Sequence, residues 1–417
     1  MNSAKLYDIA VVGGGAAGTI AAIRAGQLGK KVILIERNES IGKKISITGK
    51  GRCNISNSAD IETFVKKFGE RGEFFRTAFF NFFNEDLIRF FADKGLELKT
   101  ERQGRIFPIT DKAKSVIDVL MVYLDESKVE LLFNTRLKKI DRNGNYFTLI
   151  TDDDKKIESR KLILATGGAS YKVTGSAGDG YRIAESLGHS IAELFPALVP
   201  LKTSQTWVKK LQGIGLENVR LEIHTGAKKK IVSDVGELMF THFGVSGPLI
   251  LDLSGEIVSA IKKSGDAKLF IDFKPGLRYE QLESKLLYKF KTKGNVQLKN
   301  IMKDLLPQRL IPVFLDVIGL HPEIKTNQIT QNERKAIIEG LKGFPLTIVG
   351  ALAIEEAMVT GGGVSTKQID PRTMESRLVP GLYFAGEIIE GAAPSGGYNL
   401  QQAFSTGYLA GERASDA

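Results

Sequence analysis

The chain has 417 residues, 42% hydrophobic and 25% charged, with a formal net charge of +10. These proportions suit a globular protein with a sizeable core, exclude disordered, collagen-like and coiled-coil classes, and at this length favour two or three domains. No apolar run approaches about 18 residues, so no membrane-spanning helix is expected, and the single cysteine, Cys53, excludes an internal disulfide, a CxxC redox pair and a cysteine-rich zinc site.

The first residues lead into a short strand without the layout of a cleavable signal, so a cytoplasmic location is expected. The strand Ile9–Val12 runs into Gly13-Gly-Gly-Ala-Ala-Gly18, which fits GxGxxG. A small-residue helix from Thr19 and a second strand, Val32–Ile35, follow, with Glu36 at its end. Each part of this βαβ unit has a physical task. Gly13 permits the turn, Gly15 lets backbone approach a pyrophosphate, and Gly18 lets the helix pack on the strand. The helix N-terminus offers free N–H groups to phosphates, and Glu36 can accept bonds from ribose hydroxyls. An ordinary βαβ turn is the plainer reading of the glycines alone; the ordered set of strand, glycines, helix, strand and acid favours a dinucleotide.

The loop Ile41–Asn57 is dense in Gly, Ser, Thr and Asn and reads as an ordered loop wrapped on a ligand. Residues 74–91 hold eight phenylalanines at near-helical spacing, which points to a helix burying an apolar face rather than to base stacking. The strand Lys161–Ala165, ending in Thr166-Gly167-Gly168, is the ATG-type segment of two-dinucleotide-binding flavoproteins. Gly381–Ala385, ending in Gly386-Glu387, is a further apolar strand closed by glycine and acid, and the helix pattern from Asn399 can aim its N-terminus at a flavin. A nicotinamide dehydrogenase needs no such late strand, so FAD is expected. No second GxGxxG follows a strand, so NAD(P)H would act only as a transient reductant.

The middle third differs. Residues 201–350 hold 23 Lys/Arg and 15 Asp/Glu, a net of +8, against 35 and 33 in the remainder, a net of +2. Such an excess reads either as a solvated basic surface or as attraction for an anionic partner. Short alternating strands are expected over 196–276, with Lys228-Lys-Lys230 capping a hairpin. A helical region over 277–345 follows, with Thr330-Gln-Asn-Glu333 as a capping box. The reading is an α/β fold. A Rossmann-like FAD-binding domain, 1–195 and 346–417, carries an inserted β-barrel-like subdomain and a small helical subdomain.

Together, Thr48–Asn57 (TGKGRCNISN), Arg105–Pro108, Thr174–Tyr181, Thr241–Pro248, Thr373–Ser376 and Gly396–Gln401 resemble the BaiN/RdsA family of flavoproteins, also called HI0933-like, over essentially the full chain. Ile388–Ser395 departs from the Val/Asp-rich run usual there. The resemblance implies an FAD domain made from both chain ends around the insert. Activities within the family include reduction of steroid enones, reduction of a ribosomal-RNA uridine and oxidation of a small aminoketone. The first two act on a C=C bond conjugated to a carbonyl, to which reduced flavin can deliver hydride while a positioned acid protonates the neighbouring carbon.

The expected cofactor contacts are Gly13, Gly15, Ala16, Ala17, Gly18, Glu36, Arg37, Lys44, Thr48, Gly49, Gly51, Arg52, Cys53, Asn54, Ala165, Thr166, Gly167, Gly386, Glu387, Gly397, Tyr398, Asn399 and Leu400. His242, in a Gly/Ser-rich loop, is the candidate acid because imidazole donates and accepts protons near neutrality; holding the loop is its structural alternative. Cys53 is a second candidate acid, or a small residue packed under the flavin. Arg52 could stabilise an enolate or reduced flavin, or brace its own loop. Asn399 is read as a helix N-cap, and Tyr171 as either lining a substrate cavity or packing at the surface. His189, His224 and His321 lack metal-ligand spacing and read as structural, so no metal is expected. Gly244-Val-Ser246-Gly-Pro lacks the glycine spacing and helix start of a nucleophile elbow.

The leading expectation is an FAD-dependent reductase of a small enone, since Thr174–Tyr181 and Thr241–Pro248 look closer to the small-molecule branch. The rivals are uridine reduction in RNA bound by the basic insert, amine or aminoketone oxidation, and a non-enzymatic FAD-containing binding protein.

Overall fold

The computed structural model describes residues 5–226 and 230–416, so Lys228 and Lys229 of the lysine run lie outside the described residues. Two compact units emerge, Met1–Phe195 with Ile354–Ala417, and Pro196–Ala353.

The first unit is built on a mostly parallel sheet. Its centre is β1 (Leu6–Val12), parallel to β2 (Val32–Ile35) on one side and to β3 (Lys156–Leu164) on the other. Glu130–Leu132 extends the sheet beyond β2. The last residues of β3 pair in parallel with β4 (Leu382–Phe384), while its first half carries an antiparallel hairpin, Leu137–Asn143 and Tyr146–Thr151. Residues 9–12 and 32–35 are all buried. Unbroken apolar runs of this kind belong to parallel strands covered on both faces.

Helix α1 (Ala16–Gln27) links β1 to β2, and α2 (Lys43–Ile47) follows β2. The C-terminal helix α3 (Tyr398–Ser415) returns to lie on α1. Small residues permit this approach: a Cβ on Gly407 would stand 2.2 Å from the Ala17 carbonyl oxygen. Backbone therefore meets backbone between helices some 390 positions apart in sequence.

The phenylalanine-rich stretch is two helices, Gly72–Asn81 and Asn84–Ala92, not one. Phe82 leaves the helical region (φ −154°, ψ 102°), and the buried Asn84 amide donates to the carbonyls of Asn57 and Ala59 at 2.8 and 3.1 Å. The buried faces do carry the rings: Phe75, Phe79 and Phe91 are fully enclosed, with Phe64 edge-on to Phe79.

The second unit is an antiparallel sheet that closes on itself. Gly215–Thr225, Gly236–Phe240, Gly244–Ser246, Leu201–Thr203, Phe344–Ala351 and Ala267–Asp272 pair in that order, and the last pairs back on the first. Lys230–Val232 adds a strand outside the ring. Phe344–Ala351 belongs to this barrel, paired with both Ala267–Asp272 and Leu201–Thr203. The return to the first unit therefore comes at Ile354, later than Leu346. Pro248 opens a helix, Pro248–Ser264, directly after the strand containing Ser246. The helix start thought missing there is present, yet Ser246 pairs within the sheet opposite Met239 and is buried, not raised on an exposed turn. The helical part contains Tyr279–Thr292, Leu298–Met302, Ile311–Val317 and Gln331–Lys342. The capping box forms as expected, with Thr330 N–H donating to Glu333 Oε2 at 2.7 Å and Glu333 N–H to Thr330 Oγ1 at 3.3 Å.

Candidate active site

A cavity opens at the C-terminal ends of β1, β2 and β3, where α1, α2 and α3 begin or pass. This is where open parallel sheets place their ligands. Its floor is the turn Gly13–Ala17. Gly13 has φ +104°, and a Cβ there would lie 2.5 Å from the Ala165 carbonyl oxygen, so the turn closes only on glycine. Gly18 serves packing instead, its hypothetical Cβ falling 1.9 Å from Gly13 O.

Glu36, at the end of β2, is buried and already oriented. Its Oε2 accepts from Gly14 N–H at 2.6 Å, and its Oε1 from the backbone and side chain of Asn38 at 2.8 and 2.6 Å. Oε1 is therefore saturated, and Oε2 retains a lone pair for a sugar hydroxyl. Beside it, Arg37 donates to Asp179 at 3.1 Å, and Arg136 grips the same carboxylate through two bonds of 2.9 and 2.8 Å. Arg182 adds a third. Arg136 chiefly pulls the Asp179 carboxyl down to about 2.

On the opposite wall, Lys44 Nζ lies 2.6 Å from Glu387 Oε2 and donates to Ser170 Oγ at 2.8 Å. Glu387 Oε1 accepts from Thr360 N–H at 2.8 Å and Ser170 Oγ at 3.1 Å. This pair, 343 positions apart, joins α2 to the segment after β4.

Of the expected contacts, Gly13, Gly15, Ala16, Ala17, Glu36, Arg37, Lys44, Thr48, Ala165, Thr166, Gly167, Gly386, Glu387, Asn399 and Leu400 line the cavity. Gly49, Gly51, Arg52, Cys53, Asn54, Gly397 and Tyr398 do not. Of these, Cys53 and Tyr398 are buried, Gly51, Arg52, Asn54 and Gly397 half-buried, and Gly49 exposed. Arg52 donates to Asp111 at 2.8 Å, pairs with Glu101 and lies 4.1 Å over the Phe107 ring, so its charge is already met by two carboxylates. Cys53 is fully buried at φ +63°, and burial pushes its thiol up to about 12. It is a packed apolar residue here, not an exposed proton donor. The Asn54 carboxamide bridges Ser56 O, Ile106 O and Gly397 N–H at 3.1, 3.2 and 3.1 Å. Tyr398 packs edge-on to Phe64 with centroids 4.7 Å apart.

Asn399 is not the N-cap of α3. Gly397 takes that position at φ +99°, and the Asn399 amide clamps Ala393 through N–H and carbonyl bonds of 2.9 and 2.8 Å. Tyr171 is left-handed, at φ +52°. Its N–H donates to Glu355 O at 3.1 Å. His189 is buried between Ala184 O and Ser376 Oγ, at 3.2 and 2.7 Å. His242 stands exposed on the turn between Gly236–Phe240 and Gly244–Ser246 in the second unit, beside the Thr241 N–H to Gly244 O bond of 2.9 Å. Sequence reasoning missed Asn38, Arg136 and Asp179 on the cavity wall. Asn38, two places after the ribose-type acid, carried a usable signal; Arg136 and Asp179 meet only through the fold. No cluster of metal-ligating side chains occurs among the described residues, and no helix among them is long and apolar enough to cross a membrane.

The residues fit a dinucleotide. A Cβ on Gly15 would meet nothing within 4 Å, so glycine keeps open the space over the α1 amides, which the helix cannot satisfy itself. Thr166 Oγ1, on the cavity wall, is buried without a partner among the described residues.

The family described as HI0933-like protein Rossmann domain matches residues 7–413. The chain belongs to that family. It is 33% identical to the 3-dehydro-bile acid delta(4,6)-reductase of Clostridium scindens, over 98% of this chain and 99% of that protein. It is 30% identical to the ribosomal RNA dihydrouridine synthase of Escherichia coli, over 96% of each. Among solved structures, the 3-ketosteroid delta1-dehydrogenase of Sterolibacterium denitrificans superposes with a TM-score of 0.53 at 14% identity, covering 98% of this chain and 99% of that one, a likeness of fold. The chain is an FAD-dependent oxidoreductase. The α1 amides would face the diphosphate, Glu36 a ribose, and Lys44, Glu387 and the start of α3 the remainder of the FAD.

Proposed function

We propose that this protein reduces a C=C bond conjugated to a carbonyl in a small enone, with NAD(P)H as transient reductant, in the cytoplasm. The carrying observation is the cavity, whose walls come from both chain ends and whose polar groups suit FAD, in a chain similar over its full length to two reductases. The named substrates of both relatives contain such a conjugated unit. When bound, FAD supplies a two-electron hydride source. The chain's own residues hold and orient it: Gly13–Ala17 keep side chains off the diphosphate, Glu36 is fixed by Gly14 and Asn38, and the Lys44–Glu387 pair ties α2 to the segment after β4. Cys53 is enclosed and Arg52 paired, and His242 is kept as the proposed proton donor on the chemistry of its imidazole.

The test is anaerobic reduction of the bound flavin followed by mixing with enones, RNA and amines. Reoxidation by an enone is expected; reoxidation by none of them refutes the proposal. His242→Ala should slow that step with flavin content unchanged, and unaltered turnover would clear His242.

A second reading, reduction of uridine in RNA, is favoured by one observation. The second unit holds 23 Lys/Arg against 15 Asp/Glu, a charge balance suited to a polyanion.

A further inference from the structure

We infer that the exposed face of the Tyr279–Thr292 helix binds single-stranded RNA. The inference takes its partner class from the second reading and assigns it a surface within the second unit.

Leu282, Leu286 and Phe290 bury one side of this helix. At 100° per residue the opposite side centres on Tyr288, a residue 70% exposed. Lys285, Lys289 and Lys293 run along one flank of that tyrosine in a shallow groove completed by Ser284 and Thr292. Lys291 is exposed on the other flank. Lys289 is engaged by Asp304, so the unpaired lysines of the stripe, Lys285 and Lys293, are two turns or about 12 Å apart along the axis and can each meet a phosphate two nucleotides apart.

The nearby charges leave this stripe positive. Lys289 pairs with Asp304, which also feels Lys293. Glu283, on the buried flank, is engaged by Arg334 at 3.1 Å. Lys285, Lys291 and Lys293 have no ion pair among the described residues, and Lys274 has none either. Burial, reinforced by repulsion from Lys285, holds the Lys274 ammonium below its usual range.

Stacking of a base on an exposed aromatic, next to a cationic track, is how proteins hold single strands. The hydroxyls of Ser284 and Thr292 donate to helix carbonyls at 2.9 Å, leaving their oxygens to accept from ribose 2′-hydroxyls. An anionic membrane fits less well. The exposed apolar group on this face besides the tyrosine is Leu287, 44% exposed, too little to insert.

The experiment uses the full FAD-loaded chain and a fluorescein-labelled oligouridine of about a dozen nucleotides, read by anisotropy across a salt series, with DNA of equal length and phosphatidylserine vesicles alongside. Lys285→Gln with Lys293→Gln should reduce the log–log salt slope by about 1.4, at about 0.7 per single-strand phosphate contact. Tyr288→Ala should weaken binding about tenfold and leave the slope unchanged. Wild-type affinity in both variants, or binding of vesicles but not RNA, overturns the inference. Because the readout is binding, the two ideas fail separately. RNA reduction that survives all three substitutions sinks this surface alone, and RNA bound here without being reduced sinks the second reading alone.

Discussion

Replacing Gly407 by alanine sets two effects of opposite sign against each other. Within a helix the change gains about 1 kcal/mol of propensity. The added carbon, however, would lie 2.2 Å from Ala17 O, 2.6 Å from Ile20 Cγ2 and 2.9 Å from Ala17 C. A carbon–oxygen contact settles at about 3.3 Å, so α1 and α3 must part by about 1 Å. A gap of that size forfeits up to about half of each dispersion contact across the seam. The nearest obstacle, Ala17 O, is main chain and cannot rotate aside, and Ile20 Cγ2 crowds the same space, which puts the overpacking penalty near the upper end of about 1–3 kcal/mol. The clash wins, with a net loss of about 2 kcal/mol and a fall in Tm of about 4–8 °C. Both helices border the FAD cavity, so flavin retention should fall as well. Thermal unfolding followed by circular dichroism, with flavin content measured by absorbance, checks this. A variant as stable as the parent would mean that α1 and α3 do not meet at backbone distance.

Gly15→Val should abolish flavin binding while leaving Tm of the flavin-free protein within about 1 °C, since a Cβ at this position meets nothing within 4 Å; a yellow, fully loaded variant would refute the placement of the diphosphate. Cys53 should resist a thiol reagent at pH 8 and react fully once unfolded, because burial keeps the thiol protonated up to about 12; rapid labelling of the native chain contradicts this. His189 supplies a pH dependence. Burial lowers its folded pKa below the ordinary 6.5, so between that lowered value and about 6.5 the unfolded state binds more protons. Its contribution is whole above about 6.5 and is lost as pH falls through the window. Urea unfolding of the wild type and His189→Gln should converge as pH drops from 7.5 to 5, and a constant difference would exclude the linkage.

The βαβ unit was legible because its chemistry is local. Gly13, Gly15, Gly18 and Glu36 lie within one turn and one strand, where backbone geometry permits few alternatives. The late strand with Gly386-Glu387 was legible for the same reason. Local signals were less reliable where side chains choose among distant partners. Asn399 has the chemistry of a cap, but Ala393 was near enough to hold it, and Gly397 could adopt the left-handed turn. Arg52 and Cys53 sit in a motif that reads as ligand-contacting. Yet Glu101 and Asp111 neutralise the one, and the core encloses the other.

By itself, then, the sequence determined the kind of ligand, since short-range backbone geometry decides what a glycine turn and a terminal acid can hold. Tertiary structure alone decided which charges remain available at the cavity. Lys44 finds Glu387, and Arg37 shares Asp179 with Arg136, across separations that no periodicity encodes. Ion pairing depends on distance in space, and only the closed chain sets that distance.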